Sequence, residues 1–300
     1  AGLPGLSTLP VLGPLFGSRD FKEHRSELVV FVTPELAQPD TVVVSDLGSA
    51  LDAIRHFDGA AVLKTVSGGY DGRGVLLDSS EVEVNDWFPV ERPRVLVQRR
   101  MDIECELAVQ VARAQDGSAV TYAPVRTVQT NGMCSVVHVP AELSPALEDE
   151  AVAIAKTIAD AIDVVGIFTV EFFVVGGQLF VNELAARPHN SGHLTIEACR
   201  TSQFENHMRA VAGRSLGSTD HVVPAAAMVN VVGEIRGGCE KNVFGAGVAV
   251  HRYGKTPRPG RKLGHVTATA QTTRTAIALA LDAVTQLQEQ HETKSEAGAS

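Results

Sequence analysis

The sequence predicts an α+β protein, and three features of its 300 residues carry that expectation. Leu147 to Ile162 sets Ala151, Ile154, Ala155, Ile158 and Ile162 on one face at helical spacing. Gly166 to Val174 and Gln178 to Leu184 are apolar runs joined at Gly176-Gly177, the pattern of a β-hairpin. From Pro39 onward, short strand-type and helix-type segments alternate without an internal repeat.

The segments follow in order. Gly2, Pro4, Gly5, Pro10, Gly13, Pro14 and Gly17 break any helix at the start, and Leu28 to Val32 then reads as one buried strand. Leu47 to Phe57 suits a short helix with Leu51, Ile54 and Phe57 on one side. Ala60 to Thr65 and Gly74 to Leu77 are strands entering and leaving a glycine-rich loop, and Val95 to Gln98 and Glu106 to Val111 are further strands. After the central helix and hairpin come a helix at Ser202 to Ala212 and strands at Ala226 to Val232, Gly247 to Tyr253 and Gly264 to Ala270. Thr272 to Gln288 is a last helix, and the polar tail beyond Glu289 reads as disordered.

Bulk properties set bounds. A hydrophobic content of 44% with 20% charged residues is ordinary for a globular chain. The net charge of -9 argues against nucleic acid as a partner, because no basic surplus exists to displace counterions. Cys105, Cys134, Cys199 and Cys239 are far apart and form no CxxC pair, which favours scattered reduced thiols over a zinc or redox motif. No apolar run reaches the roughly 18 residues that span a bilayer. Ala1 to Phe16 is apolar but lacks a basic leading segment, so no membrane partner is expected and the expected location is the cytoplasm.

Four segments carry candidate chemistry. Gly68-Gly69-Tyr70-Asp71-Gly72-Arg73-Gly74 has four glycines in seven residues, so its amides can approach an anion closely. It lacks the Gly-Lys-Ser/Thr of a Walker loop, and strands on both sides suggest a hairpin over phosphates or a plain exposed hairpin. Lys64 ends the preceding strand, placed as a point charge for a phosphate. Glu171 and Glu183 fall near mirror positions about Gly176-Gly177, each inside an apolar strand where an unpaired carboxylate is costly. Side by side they need a cation, and with Asn182 they suit magnesium; an arginine salt bridge is the other reading. Arg187 to His193 packs many hydrogen-bonding groups into one short loop, as an anionic substrate or a polar turn would require. Lys255 to Lys262 has four cations in eight residues, a phosphate clamp or a solvated basic loop.

These residues resemble the 5-(carboxyamino)imidazole ribonucleotide synthases, a family of ATP-grasp enzymes. The resemblance is carried by Val62-Leu63-Lys64, Gly68 to Gly74, Glu171, Val181 to Ala185, Arg187 to His193 and Thr201 to Glu205. Tyr253-Gly254-Lys255 with Gly260 to His265 extends it, so that it covers about residues 44 to 275. It implies an ATP-grasp fold, two α+β lobes gripping ATP, with a small C-terminal β-rich subdomain. The implied division is residues 41–115 as the small lobe, 116–225 as the large lobe with the metal site, 226–290 as the C-terminal subdomain and 291–300 as a tail.

The resemblance also implies a reaction: ATP phosphorylates bicarbonate, and the carboxyphosphate carboxylates aminoimidazole ribonucleotide in purine biosynthesis, with ADP and phosphate released. By matching position, Lys64, Gly69, Tyr70, Asp71, Gly72, Arg73, Gly74 and Val75 would hold ATP phosphates. Gln98, Arg99, Met101, Glu106, Gln129 and Asn182 would complete the ATP site, with Glu106 on the ribose hydroxyls. Glu171 and Glu183 would carry Mg2+ or Mn2+, with Glu183 also counted at the ATP, while Arg187, His189 and Asn190 would line the bicarbonate and carboxyphosphate site. Ser191, His193, Lys255, Arg261 and Lys262 would bind the ribonucleotide. A homodimer is the assembly implied.

Three departures stand out. Gln98-Arg99-Arg100-Met101 occupies an adenine segment that usually opens with glutamate, and Gln129 stands where many relatives carry histidine. The family's N-terminal Rossmann-like domain, with its Gly-Gly-Gly-Gln-Leu segment, has no counterpart in residues 1–300. Gly2 to Gly13, Phe16 to Arg19 and Glu27 to Pro34 instead resemble the C-terminal part of secretins, so residues 1–40 read as a foreign segment joined near residues 38 to 44. Alternative expectations are thus an ATP-grasp module that binds Mg-ATP with little turnover, or a secretion component. So short a segment could not close a barrel by itself.

Overall fold

The computed structural model describes residues 39–66, 74–77, 80–88, 94–233 and 244–289. The expected strand at Leu28 to Val32, most of the glycine loop and the tail beyond Glu289 lie outside these residues. Two antiparallel sheets organise the rest.

The smaller sheet contains β1 (Thr41–Val44), β2 (Ala61–Thr65), β3 (Val75–Leu76) and β4 (Val95–Arg99), in the order β1-β4-β2-β3. Helix α1 (Leu47–His56) starts at Asp46, whose carboxylate accepts the Ser49 amide at 2.8 Å and satisfies one orphan donor of the first turn. Helix α2 (Glu81–Trp87) starts at Ser80, which accepts from the Glu83 amide while its hydroxyl donates to the Glu83 carboxylate. Ala50, Ala53, Ile54 and Phe57 of the α1 region and Val84 of α2 pack with Leu63, Val95 and Val97 as this lobe's core. The sequence reading did not anticipate α2 or β1. Ser80-x-x-Glu83 is a cap signal, but the helix that follows is only 7 residues long and buries one side chain.

The larger sheet has nine strands: β5 (Cys105–Arg113), β6 (Ala119–Thr121), β7 (Val125–Thr130), β8 (Met133–Val139), β9 (Gly166–Val175), β10 (Gln178–Ala185), β11 (Ala225–Val232), β12 (Val248–Arg252) and β13 (Lys262–Ala270). Their order is β10-β9-β5-β7-β8-β11-β13-β12, with β6 paired to β5. The sheet therefore runs unbroken past residue 225, through the β8–β11 and β11–β13 pairings. Strands β6 to β8 were not anticipated, because Arg126, Thr127, Gln129 and Thr130 give β7 no clean apolar alternation.

Helix α3 (Pro145–Ala161), capped by Ser144, covers one face of the large sheet. Ala151, Ala155 and Ile158 pack there against Leu107, Val109 and Val111 of β5, Phe168, Val170 and Phe172 of β9, and Val181 of β10. Arg113 pins the far end of this helix through Asp160 at 3.1 Å and Asp163 at 2.8 Å. On the opposite face Ala108 and Ala112 meet Leu194 and Ala198, the latter in α4 (Thr195–Ala198), and α5 (Gln203–Val211) follows. Helix α6 (Thr273–Glu289) buries Ala280, Ala283 and Leu287 against β11 and β13.

Phe172 joins these layers, since it faces Leu107 on one neighbouring strand and Val181 on the other. Phe172→Ala is expected to cost about 3–5 kcal/mol, the range for deleting a buried aromatic ring, and to lower the urea midpoint without changing the slope much.

Candidate active site

The hairpin β9–β10 turns at Gly176 and Gly177, both with positive φ (58° and 71°), which the favoured two-residue hairpin turn requires. From that turn the register runs Gln178 against Val175 to Val181 against Phe172, and then slips, so that Glu183 faces Glu171. The slip is a one-residue bulge at Asn182. In strict alternation Asn182 would take the place opposite Glu171, and Glu183 would turn to the face that packs on α3. The bulge instead brings both carboxylates to the same open face, with side chains about 5 Å apart at their bases.

That face looks toward the small sheet. Lys64 Nζ, on β2, donates to the Asn182 side-chain oxygen at 3.0 Å and lies 5.8 Å from the Phe173 ring centre. On β5, Glu106 accepts from the Gln129 side-chain amide at 3.0 Å. Three glutamates and one lysine thus share the cleft. Desolvation raises the carboxyl groups of Glu106, Glu171 and Glu183 above the ordinary range, and each of them also feels a neighbouring carboxylate or cation. Lys262, Lys64 and Arg187 oppose the rise at Glu171. Lys64 is itself pushed down by burial and held up by the three glutamates. Like charges crowded on one face call for a cation between them, and an all-oxygen set suits a hard one. Among the described residues no three of His, Cys, Asp and Glu form a metal cluster, so the pair would leave most of the coordination shell of such a cation to other oxygen ligands.

The next segment, Arg187 to His193, closes one side. His189 Nε2 lies 3.4 Å from Glu171 Oε1, and Ser191 to Gly192 form a short 3-10 turn that begins at Asn190. Gln203, fully buried, clamps the segment: its oxygen accepts from the His189 amide at 2.9 Å, and its nitrogen reaches the His189 carbonyl at 2.7 Å and His193 Nδ1 at 2.9 Å. A Cβ on Gly192 would meet that oxygen at 2.5 Å, so a side chain there would push the Gln203 amide out of its clamp. Asn190 and Asn230 exchange two amide hydrogen bonds, at 2.9 and 2.7 Å, which tie the loop to β11.

The other predicted residues distribute as follows. Lys262 begins β13 and its charge reaches Glu171 and His193. Lys255 lies over the Tyr253 ring at 4.9 Å, and Arg261 donates to the Thr256 carbonyl at 3.2 Å, so both belong to the loop before β13. Gln98 and Arg99 turn toward the β1 end of the small sheet, where they bond Thr41 and pair with Asp40, both at 3.0 Å. Met101 follows β4 and is half-buried. Gly74 carries a positive φ of 79°, and its carbonyl accepts from the Thr65 amide where β2 and Val75 of β3 begin to pair. Gly69, Tyr70, Asp71, Gly72 and Arg73 lie outside the described residues. Ser191 is 1% exposed, with its hydroxyl engaged by Gln110 and His189; this places it inside the loop, away from the open face of the cleft.

Sequence reasoning missed Gln110 and Asn230, and it gave no role to Gln203, His251, Tyr253 or His265, though the resemblance spanned Gln203, Tyr253 and His265. Gln110 and Asn230 stood out as lone polar residues within apolar strands, the criterion that singled out the two glutamates. In the aromatic group, His265 stacks on His251 at 4.5 Å and lies 5.1 Å from His193, while Tyr253 Oη contacts His265 Nδ1 at 2.8 Å and His251 Nε2 contacts Glu197 at 2.6 Å.

The chain belongs to the ATP-grasp family, whose domain model matches residues 30–204. The C-terminal domain model of phosphoribosylaminoimidazole carboxylase matches residues 226–278, and the model of bacterial type II and III secretion system protein matches residues 1–38. Within ATP-grasp, the chain falls with the N5-carboxyaminoimidazole ribonucleotide synthases. That of Mycobacterium bovis is 43% identical over 225 residues, covering 70% of this chain and 52% of the relative. That of Vibrio cholerae is 35% identical over 256 residues, covering 83% and 67%. A crystal structure of N5-carboxyaminoimidazole ribonucleotide synthetase with ADP superposes with a TM-score of 0.77 at 33% identity, covering 85% of this chain and 69% of that one. The Aspergillus clavatus synthase, solved with ADP and 5-aminoimidazole ribonucleotide, gives a TM-score of 0.72 at 26% identity, covering 84% and 69%. The chain spans about half the length of its mycobacterial relatives. No helix among the described residues is long and apolar enough to cross a membrane.

Burial pushes His265 down to about 3 and His193 to about 4, with the neighbouring imidazoles and, for His193, Lys262 and Arg187 acting in the same direction. Unfolded, both would bind protons first as the pH falls through about 6.5, so stability is expected to decline below that value. By pH 5 each contributes a loss of about 2 kcal/mol. His265→Asn, with His251, Tyr253 and Glu197 left in place around it, is expected to lose less melting temperature between pH 7 and 5 than the unaltered chain.

Proposed function

We propose that this chain carries the ATP-dependent carboxylation of 5-aminoimidazole ribonucleotide by bicarbonate. The observation that carries the reading is the Glu171–Glu183 pair, brought onto one face by the Asn182 bulge and set between Lys64 and the Arg187 to His193 loop. The names of its relatives and the ligands of the solved synthases support the same reaction.

In this reading ATP lies in the cleft between the sheets, with Lys64 and the loop from Gly69 to Val75 at its phosphates. Glu106 and Gln129, already bonded to each other, are placed for the ribose, and main-chain groups of Gln98 to Met101 for the adenine. Glu171 and Glu183 would hold magnesium, with Asn182 beside them, and the ion would neutralise charge on the phosphates. A bicarbonate oxygen attacks the terminal phosphorus as the bond to ADP breaks, giving carboxyphosphate. The amino group of the ribonucleotide then attacks the carboxyl carbon, phosphate leaves, and the nitrogen loses a proton. Arg187, His189 and Asn190 orient the anion. The side chains supply positioning and charge, which suffice for phosphoryl transfer without a covalent protein nucleophile. Lys262, with Lys255 and Arg261 near it in sequence, takes the ribonucleotide phosphate, and His193, which feels the Lys262 charge, completes that subsite. We further infer that residues 38 to 44 join two unrelated segments, the first being the secretin-like one.

ADP release from Mg-ATP is expected to rise when both bicarbonate and aminoimidazole ribonucleotide are present; no stimulation at saturating ligand would rule the reaction out. Glu183→Gln is expected to lower the stimulated rate by about two orders of magnitude or more, as loss of a charge-stabilising group does. Full activity in that variant would make the two glutamates structural.

A further inference from the structure

Gln110 is a polar residue with no exposed surface, in the middle of β5, and nothing in the proposed reaction uses it. Its side-chain nitrogen lies 2.8 Å from Ser191 Oγ, and Ser191 Oγ lies 2.8 Å from His189 Nδ1. His189 Nε2 in turn faces Glu171 Oε1 at 3.4 Å. The four side chains form one line from the interior of the sheet to the acidic cleft.

The protons along this line can be placed by elimination. The Ser191 backbone N–H donates to His189 Nδ1 at 3.3 Å, so Nδ1 acts as an acceptor and carries no hydrogen. A hydroxyl 2.8 Å from a bare imidazole nitrogen must donate to it, since two lone pairs at that distance would repel. With its hydrogen spent on Nδ1, Ser191 Oγ is left to accept from the Gln110 amide N–H. The opposite amide orientation would place an acceptor against that oxygen and pull the hydroxyl off the ring. Among the described residues Gln110 Oε1 has no hydrogen-bond partner, and the donor end is the one that engages Ser191.

We propose that Gln110 is a positioning residue which, through Ser191, locks His189 in its Nε2–H tautomer and so keeps the protonated ring nitrogen on the side of Glu171, 3.4 Å from its carboxylate. A ring held this way orients a carboxylate by donating to it and cannot accept from it. The consequence for the cation rests on the proposed role of Glu171, but the tautomer itself does not.

The test is the imidazole spectrum of the full chain labelled with 15N-histidine, with the His189 signal assigned by its loss in His189→Gln. Near pH 8.5, about two units above the ordinary histidine value, the unaltered chain is expected to show the Nε2–H pattern. Gln110→Glu replaces the donor with an acceptor that draws the Ser191 hydroxyl away, and the Nδ1–H form is expected to grow. Ser191→Ala, a small change that preserves the backbone, is expected to let the same form reappear. An Nδ1–H pattern in the unaltered chain overturns the proposal, as does an unchanged signal in both variants with amide spectra of folded protein. The spectrum needs no substrate, so it decides the tautomer even in a chain without turnover. Where turnover is measured, both variants are expected to raise the Mg2+ concentration for half-maximal ADP release by about 10- to 100-fold, with little change in KM for the ribonucleotide.

Discussion

Two carboxylates that face each other across adjacent strands govern the whole arrangement. Glu171 and Glu183 are like charges on one face of the β9–β10 hairpin, and only a single extra residue at Asn182 puts them there. In regular alternation, half of the pair would be driven into the apolar layer beneath α3, which would cost several kcal/mol for an unpaired ion. The bulge converts that cost into a concentrated negative field on the open face. Lys64, Lys262, Arg187 and His189 are arranged around this field and temper it without cancelling it.

The two faces of β5 show how the surrounding fold serves that pair. Its odd positions Leu107, Val109 and Val111 fix the sheet to α3, while its even positions pass from Glu106 at the cleft through Ala108 to Gln110 beneath the Arg187 to His193 loop. One strand therefore carries core packing on one side and a polar progression on the other. The Arg187 to His193 segment is held in the same manner from several directions, by Gln203 from α5, Asn230 from β11 and Gln110 from below. A loop so clamped is preorganised, because the entropy of ordering it is met when the chain folds.

Much of this was legible in the sequence where apolar patterning and a lone charge coincide. The α3 stripe, the Gly176-Gly177 hairpin and the two glutamates could all be placed from spacing, because burial leaves a period and an ion within it breaks that period. Strands β6 to β8 could not, since Thr127, Gln129 and Thr130 are held by backbone pairing, which leaves no side-chain signature. The bulge was also hidden: mirror counting about the turn set the glutamates near each other but could not show which face each would take. Ser191 carried the opposite lesson. As a serine in a polar loop it looked like a substrate contact, and only burial and its two partners place it inside the loop's own framework.

The continuity of the large sheet past residue 225 has a mechanical meaning. The strands that begin the C-terminal region share backbone hydrogen bonds with β8, and Asn230 holds the Cys134 carbonyl as well as Asn190. A sequence boundary at that point therefore falls within one continuous hydrogen-bonded sheet, which carries both the acidic face and the C-terminal strands. On the other side of the cleft, the smaller sheet meets the large one through side chains such as Lys64 on Asn182. Two kinds of joint thus meet at the acidic face: backbone ladders toward the C-terminal strands, and side-chain contact toward the smaller sheet.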